Sequence, residues 1–573
     1  MSPLARSNEA SGEAFPHTHA PETSLASVSP SSTLSMHSAS TEAQAKASSS
    51  LVANAGVVGL GTLASRGAGL ARDLAVAALF DRSQTDAFWV AFTIPNALRQ
   101  LLGEGAVSSA VVPILSAKIA TEGAPSAQAF FAKARAASWI VLVAVCIIGV
   151  LGARWLTEAF ASGFHAHEGQ FERTHLLTQI VFPYVLFMGT AAMGMAALTS
   201  RGRFAVASFS PALVNVGVIA AAWALPRPFA ARGWDPTLAL GVGVLVGGMM
   251  HVIAQWPSLR AIGFASRPVF DWRDRAIWQM GARLGPLTVG LALSAWVTVI
   301  SRAALSGLGE GAQSYFAWAT RVCDVPQGIF VMALSTAALP SLSALCAVND
   351  KRGFADAFTH GLRLSMFVAI PASVVLAVLA EPLVVLLFQR GQFDAHAARE
   401  TARAVAWQGG ATFAVAAVRH LVPALYALGD TRSPVVVSAV DSAAFVLIIY
   451  GCGARWGHVG VSVAMAGSTC VQMVALLVVV QRKIQLGKSD LWPVAWSCTK
   501  TAGASGASAA LAWLALYRGW HWGQGSKASA LCTVLALVLF CALYIFFGIC
   551  AKSEELSDVR RALVRRFARR RPA

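Results

Sequence analysis

From about residue 51 onward the chain alternates long apolar runs with short polar, Gly- or Pro-containing breaks. An α-helix of about 20 apolar residues crosses a bilayer core, and reading the runs against the breaks predicts about 14 spans. They fall near 53–80, 86–103, 129–153, 174–199, 208–225, 237–257, 278–303, 313–346, 356–388, 399–428, 434–452, 459–481, 492–517 and 528–550. The predicted fold class is an all-α integral membrane protein. An even span count puts both termini on one side. The loops on that side carry Lys118, Lys133, Arg135, Arg201, Arg203, Arg260, Arg267, Arg273, Arg275, Lys351, Arg352, Arg432, Arg482, Lys483 and Lys488. Counted with the basic tail, this is about twice the basic content of the opposite side, so both termini are expected in the cytoplasm. Pro95, Pro183, Pro211, Pro286, Pro371 and Pro423 fall inside predicted spans and are expected to bend them.

A loose internal repeat refines this picture. Ile94-Pro95-Asn96 leads to Val112-Pro113-Ile114-Leu115-Ser116, and Val325-Pro326-Gln327 leads to Leu339-Pro340-Ser341-Leu342-Ser343. Two tandem six-helix lobes, 51–257 and 258–482, followed by a C-terminal helix pair over 483–550, produce such a pattern. Paired bundles are a recurring transporter plan with the substrate site at their interface. Residues 1–50, rich in Ser, Ala, Thr and Pro, read as a disordered tail, and 551–573 as a basic cytoplasmic tail.

Composition agrees with a lipid-solvated chain: of 573 residues 56% are hydrophobic and only 13% charged, with a mean hydropathy of +0.59. The net charge of +17 is therefore a matter of topology and internal charge, not of nucleic-acid binding. The nine cysteines show no CxxC or Cys/His spacing, so neither a zinc site nor a disulfide framework is expected. The chain contains no GxxxxGK[ST], HExxH or GxSxG motif and no paired acids in a catalytic arrangement, so no cofactor, no metal and no enzyme activity are expected. Transport would be driven by ion gradients, membrane potential or substrate flux.

The informative residues are charges inside apolar runs. Arg66 and Arg72 lie in the first span, six residues apart and about 60° from a common helical face. Arg99 and Glu104 sit near the far end of the second, which Asp86 opens. Arg302 and Arg321 repeat the theme in the second half, with Arg419 and His420 in the tenth span and Asp441 in the eleventh. Arginines near helix ends, such as Arg72, Arg99 and Arg302, can snorkel to the interface, and Asp73 and Glu104 can serve simply as neutralising partners. The other reading is an internal cationic pocket. The planar guanidinium fork matches phosphate oxygens, so a phosphorylated or diphosphate ligand is its natural occupant.

The stretch Ser65-Arg66 through Ala71-Arg72-Asp73, followed by Thr85-Asp86-Ala87-Phe88-Trp89, Ile94-Pro95-Asn96-Ala97-Leu98-Arg99 and Gly103-Glu104-Gly105-Ala106, resembles the N-terminal signature of the MurJ/MviN lipid II flippases. These are members of the multidrug/oligosaccharidyl-lipid/polysaccharide exporter superfamily. The resemblance runs from about Leu51 to about Arg482, through Phe182-Pro183-Tyr184, Asn215, Arg321 with Pro326, and Leu387-Phe388-Gln389-Arg390-Gly391.

It implies a 14-helix, two-lobed bacterial inner-membrane protein. Such a protein moves undecaprenyl-diphosphate-linked peptidoglycan precursor, lipid II, from the cytoplasmic to the periplasmic leaflet by alternating access. Arg66, Arg72, Arg99 and Arg321 map onto the family's essential cavity arginines, with Ser65, Asp86, Glu104 and Ser314 at matching substrate-site positions. The implied partners are lipid II, membrane lipids and, as protein candidates, cell-wall synthases, with the chain itself expected to be a monomer. Three positions depart from the family pattern. Ser301 stands where an Asp commonly precedes Arg302, and Phe445 and Ile449 stand where sodium ligands would be expected. These departures weigh against sodium coupling, beside which membrane potential and protons stand as driving forces. Asp441, Arg302 and Arg419 are the candidates for ion coupling or helix pairing, with Asp441 expected to pair with Arg302 or Arg419. Competing readings are another exporter of the superfamily, a membrane enzyme acting on polyprenyl-linked sugars, and a non-transporting scaffold of cell-wall assembly.

Overall fold

The computed structural model describes residues 56–102, 106–271, 273–328, 341–520, 527–558 and 560–561, and from Val58 onward the chain forms one compact unit. Among the described residues the regular structure is entirely helical. The first half comprises α1 (56–79), α2 (Arg82–Leu102), α3 (Ala106–Thr121), α4 (Ala124–Leu151), α5 (Ala153–Ala161), α6 (Gln170–Val181), α7 (Tyr184–Ser200), α8 (Phe204–Phe209), α9 (Ala212–Ala224), α10 (Pro226–Ala230) and α11 (Leu238–Ala261). The second comprises α12 (Arg275–Ser306), α13 (Ala312–Pro326), α14 (341–347), α15 (Lys351–Val378), α16 (Ala380–Phe388), α17 (Ala395–Gly410), α18 (Thr412–Ala427), α19 (Arg432–Trp456), α20 (His458–Ile484), α21 (Lys488–Trp520) and α22 (Lys527–Cys550).

Helix limits follow local chemistry. Asp274, Asp350 and Asp394 cap α12, α15 and α17, each carboxylate accepting from a first-turn N–H. Pro183 and Pro211 split two of the predicted spans into α6/α7 and α8/α9, whereas Pro95, Pro371 and Pro423 are absorbed inside helices. The stretch 106–121, which falls between two predicted spans, is the helix α3. Its apolar run is too short to cross a bilayer alone, which is why span counting passed over it.

Among the described residues eight helices or helix pairs are long and apolar enough to cross a membrane. Those that fall short include α1, α2 and α13. These carry Arg66, Arg72, Asp73, Asp86, Arg321 and Asp324, and α13 is only 15 residues long. Several exposed tryptophans stand near helix ends, Trp155, Trp223 and Trp234 at one end of the bundle and Trp256, Trp278 and Trp492 at the other, while Trp139 and Trp296 are exposed within helices. That is the arrangement of two interfacial belts.

The largest core cluster is shared by the two halves: Val76, Phe80 and Phe88 pack with Trp318, Phe388 and Phe393. A second cluster lies mainly in the first half and reaches Ile277 and Met280 of α12, and a third lies within the second half. The C-terminal pair α21/α22 packs on α15 and α16 through Leu379, Ala509, Ala512 and Phe540.

Just past α22 the chain is clipped down. Arg363 Nε and Ser497 Oγ donate to Glu555 Oε1 at 2.8 and 2.7 Å, and Ser553 Oγ donates to Oε2 at 2.7 Å. Burial alone would push the Glu555 carboxyl up, but the bonds from Ser497, its own N–H, Ser553 and Arg363 prevail and hold it down at about 2. A depressed carboxyl stabilises the fold above its ordinary value of about 4.5 and loses that contribution as pH falls toward 2. Glu555→Gln is therefore expected to lower the thermal unfolding temperature at pH 7, with the gap to wild type narrowing below about pH 4.5.

Candidate functional site

Between the halves lies a cavity of about 540 Å³ lined by Ser65, Arg66, Arg72, Asn96, Tyr184, Asn215, Arg321, Asp324, Gln327 and Arg419, with Phe92, Met188 and Val214 among its apolar walls. The helical stretch Arg66–Arg72 directs both arginines of α1 into it. Arg72, 4% exposed, donates from Nε and Nη2 to Asp73 Oδ1 at 2.8 and 2.6 Å and from Nη1 to Asn215 Oδ1 at 3.0 Å. Its guanidinium lies over the rings of Trp89 and Phe92. Asn215 in turn donates to the Ser65 carbonyl at 3.3 Å, tying α9 to α1.

Arg321, half-exposed to the cavity, pairs with the other oxygen of the buried Asp73 at 2.9 Å, a contact ion pair without hydrogen-bond alignment. It lies 3.7 Å from Asp324 one turn on. Arg66 donates to the Asp324 carbonyl at 3.5 Å, and Arg419 faces the same Asp324 and Arg66. Four arginines against the two carboxylates Asp73 and Asp324 leave two net positive charges.

Gly328 makes room for this arrangement, because a Cβ there would collide with the Arg66 guanidinium. Gly328→Ala is expected to leave thermal stability unchanged, since only the end of a flexible side chain must move. It should weaken anion binding at least about tenfold by displacing one charge-assisted contact, read as binding of a diphosphate ligand.

One end of the cavity is sealed by contacts between the halves. Asp86 of α2 caps α13 from outside its own half: Gly311 N–H donates to Oδ2 at 2.7 Å, and Ser314 N–H and Oγ donate to Oδ1 at 2.8 and 2.6 Å. A carboxylate at a helix N-terminus satisfies orphan N–H groups and meets the positive end of the dipole. Arg82 pairs with Asp394, and Gln392 N–H donates to the Ala78 carbonyl at 3.0 Å. Gly391, at φ +59°, permits that approach, since a Cβ would meet the Ala78 oxygen.

The structure thus brings Ser65, Arg66, Arg72, Arg321 and Arg419 together, and places Asp86 and Ser314 in the seal instead of among the cavity-lining residues. The side chain of Arg99, and Glu104 altogether, lie outside the described residues. The expected pairing of Asp441 is corrected. Arg302 is engaged by Gln313, its Nη1 donating to Oε1 at 2.9 Å and its backbone carbonyl accepting from Nε2 at 2.6 Å, while Asp441 meets Ser468 and keeps one oxygen buried without a hydrogen bond. The two groups sit on α12 and α19, which meet in an apolar cluster that includes Leu305 and Phe445. Asp324 was missed by sequence reasoning; its three-residue spacing from Arg321 was the available signal. Among the described residues no cluster suited to a metal ion occurs.

A helical bundle whose two halves enclose a cationic cavity, sealed at one end by contacts between them, is the architecture of a multi-pass membrane transporter. A family model described as Lipid II flippase MurJ matches residues 75–541, and the chain belongs to that family. The Lipid II flippase MurJ of Burkholderia cenocepacia is 30% identical over 497 residues, covering 84% of this chain and 94% of that protein. The solved structure "Lipid II flippase MurJ, inward closed conformation" has a TM-score of 0.71 at 19% identity and covers 86% of this chain and 98% of its own. An inward-facing multidrug resistance MATE family transporter of the MOP superfamily follows at 0.61 and 12% identity, over 73% and 94%. These relatives are transporters, not enzymes, and the family is one of multi-pass membrane proteins of the bacterial inner membrane.

Proposed function

We propose that this chain flips lipid II, the undecaprenyl-diphosphate-linked peptidoglycan precursor, from the cytoplasmic to the periplasmic leaflet by alternating access. The observation that carries this reading is the net charge of the cavity. Arg66, Arg72, Arg321 and Arg419 less Asp73 and Asp324 leave two positive charges, matching the two negative charges of a diphosphate diester. Guanidinium forks are suited to phosphate oxygens. The diphosphate would sit among the arginines while the polyprenyl tail remains in lipid, guided along α21 and α22. Arg99 and Glu104 are assigned to the same site by position.

In this reading the chain crosses the membrane 14 times in two six-helix lobes plus the C-terminal pair, with both termini cytoplasmic. The end sealed by Asp86 and Ser314 is periplasmic. The protein works as a monomer, driven by membrane potential or protons, and cell-wall synthases are candidate partners. The basic loop residues lie at the end of the bundle away from the seal, which supports this orientation.

Depletion of the protein tests the reading: lipid II should become inaccessible to a periplasmic probe, and the wild-type chain should restore access. Undiminished access after depletion refutes it. A C-terminal reporter should remain on the cytoplasmic side, and a periplasmic tail would reverse the topology.

A further inference from the structure

Far from the central cavity, a second pocket of about 110 Å³ opens where α15, α21 and the end of α22 meet. Its charges are unevenly matched. Arg363 takes both available acids, pairing with Glu554 and Glu555 at 2.7 Å each. Lys500 and Lys552 are left without a carboxylate within ion-pair range among the described residues. Lys500 Nζ makes one long hydrogen bond, 3.4 Å to the Ala551 carbonyl, and lies 5.4 Å from the centre of the Trp496 ring. An ammonium has three donors, so the larger part of its capacity is unused. Lys552 is exposed at the mouth, on a left-handed backbone (φ +50°) that turns the chain back over the pocket.

The pocket's level in the membrane is set by its own residues. Trp496 is half-exposed, as an interfacial tryptophan is, and α22 ends at Cys550 beside it. Tyr544 closes the floor, its hydroxyl donating to the Phe367 carbonyl at 2.8 Å. Below that floor the outward face of α22 is apolar and exposed at Leu531, Val534, Leu535 and Val538. A cationic recess above an apolar lipid-facing stripe has the two-part chemistry of a phospholipid: an anionic head and an acyl tail. A soluble anion would use only the recess. The basic tail, with Arg560 and Arg561 close by in sequence, adds field of the same sign.

We propose that this pocket binds the phosphate head of an anionic phospholipid of the surrounding bilayer, with Lys500 and Lys552 as its ligands and an acyl chain along α22. The Arg363–Glu555–Ser497 clip is the rigid wall that holds the two lysines in place. The site is independent of what the central cavity carries.

Native mass spectrometry of the purified full-length chain in detergent, titrated with phosphatidylglycerol or phosphatidylcholine, tests this. Phosphatidylglycerol is expected to bind in preference. Lys500→Gln with Lys552→Gln should weaken it at least about tenfold, a loss of about 1.4 kcal/mol, while Lys500→Arg with Lys552→Arg and the distant Lys488→Gln retain it. Lys552→Gln alone, at an exposed turn, carries the test if the double variant is unstable. Unchanged affinity in the glutamine variants overturns the site, as does equal binding of phosphatidylcholine. Displacement of the lipid by equimolar glycerol phosphate would make it a site for soluble anions and overturn the lipid assignment.

Discussion

Arg66→Ala and Arg321→Ala are each expected to abolish rescue of cell-wall synthesis in a depleted strain while the protein still accumulates folded in the membrane. Both side chains face the cavity: Arg66 is exposed, and Arg321 is 39% exposed. Truncation therefore costs little packing. What is lost is a charge-assisted contact to the ligand, about 1.5–3 kcal/mol each, or roughly ten- to a hundredfold in affinity. The loss deepens because the neighbours are coupled. Without Arg321, Asp73 turns wholly onto Arg72, and the net charge of the cavity falls from two to one. The check is exposure of lipid II to a periplasmic probe, together with the amount of folded protein. Full rescue by both variants would remove the cationic cavity from the mechanism.

The second large effect concerns the seal. Asp86→Ala removes three hydrogen bonds that join α2 to the start of α13 and leaves two buried N–H groups without an acceptor. Taking about 3 kcal/mol as the cost, the balance between sealed and open arrangements shifts about 150-fold. A carrier held open at one end cannot complete a cycle, so transport should fail even though every cavity arginine is intact. Cysteines placed by Ala78→Cys and Gln392→Cys, whose backbones are hydrogen-bonded across the seal, report on it directly. Their cross-linking should fall sharply in the Asp86→Ala background, and unchanged cross-linking would show that the apolar cluster around Phe88, Trp318 and Phe393 suffices to keep that end closed.

These two cases mark how far the sequence could be read. Arg66, Arg72, Arg321 and Arg419 were legible because a charge in an apolar run is costly and needs a reason, and the helical positions follow from the same apolar runs. Asp86 and Ser314 were legible as important but not as a seal. One caps the helix that bears the other from more than 200 residues away, a relation with no periodicity to reveal it. Asp324 escaped notice because an acid three residues from an arginine is an ordinary pairing on a helix face. The Asp441–Arg302 pair failed for a different reason: charge complementarity says which groups could meet, but the amide of Gln313, eleven residues from Arg302, was closer. The α3 segment was hidden because a test for bilayer-length runs is blind to a helix of 16 residues.

The sharing of Asp73 between Arg72 and Arg321 bears on the empty protein. A carrier must make its return stroke unloaded, and arginines stripped of both water and ligand would oppose that stroke by their desolvation cost. In the proposed cycle Asp73, fully buried and held by both guanidinia, serves as a resident stand-in for the departing anion. On that reading loading is an exchange of one anionic partner for another, and the arginines stay partnered through the unloaded half of the cycle.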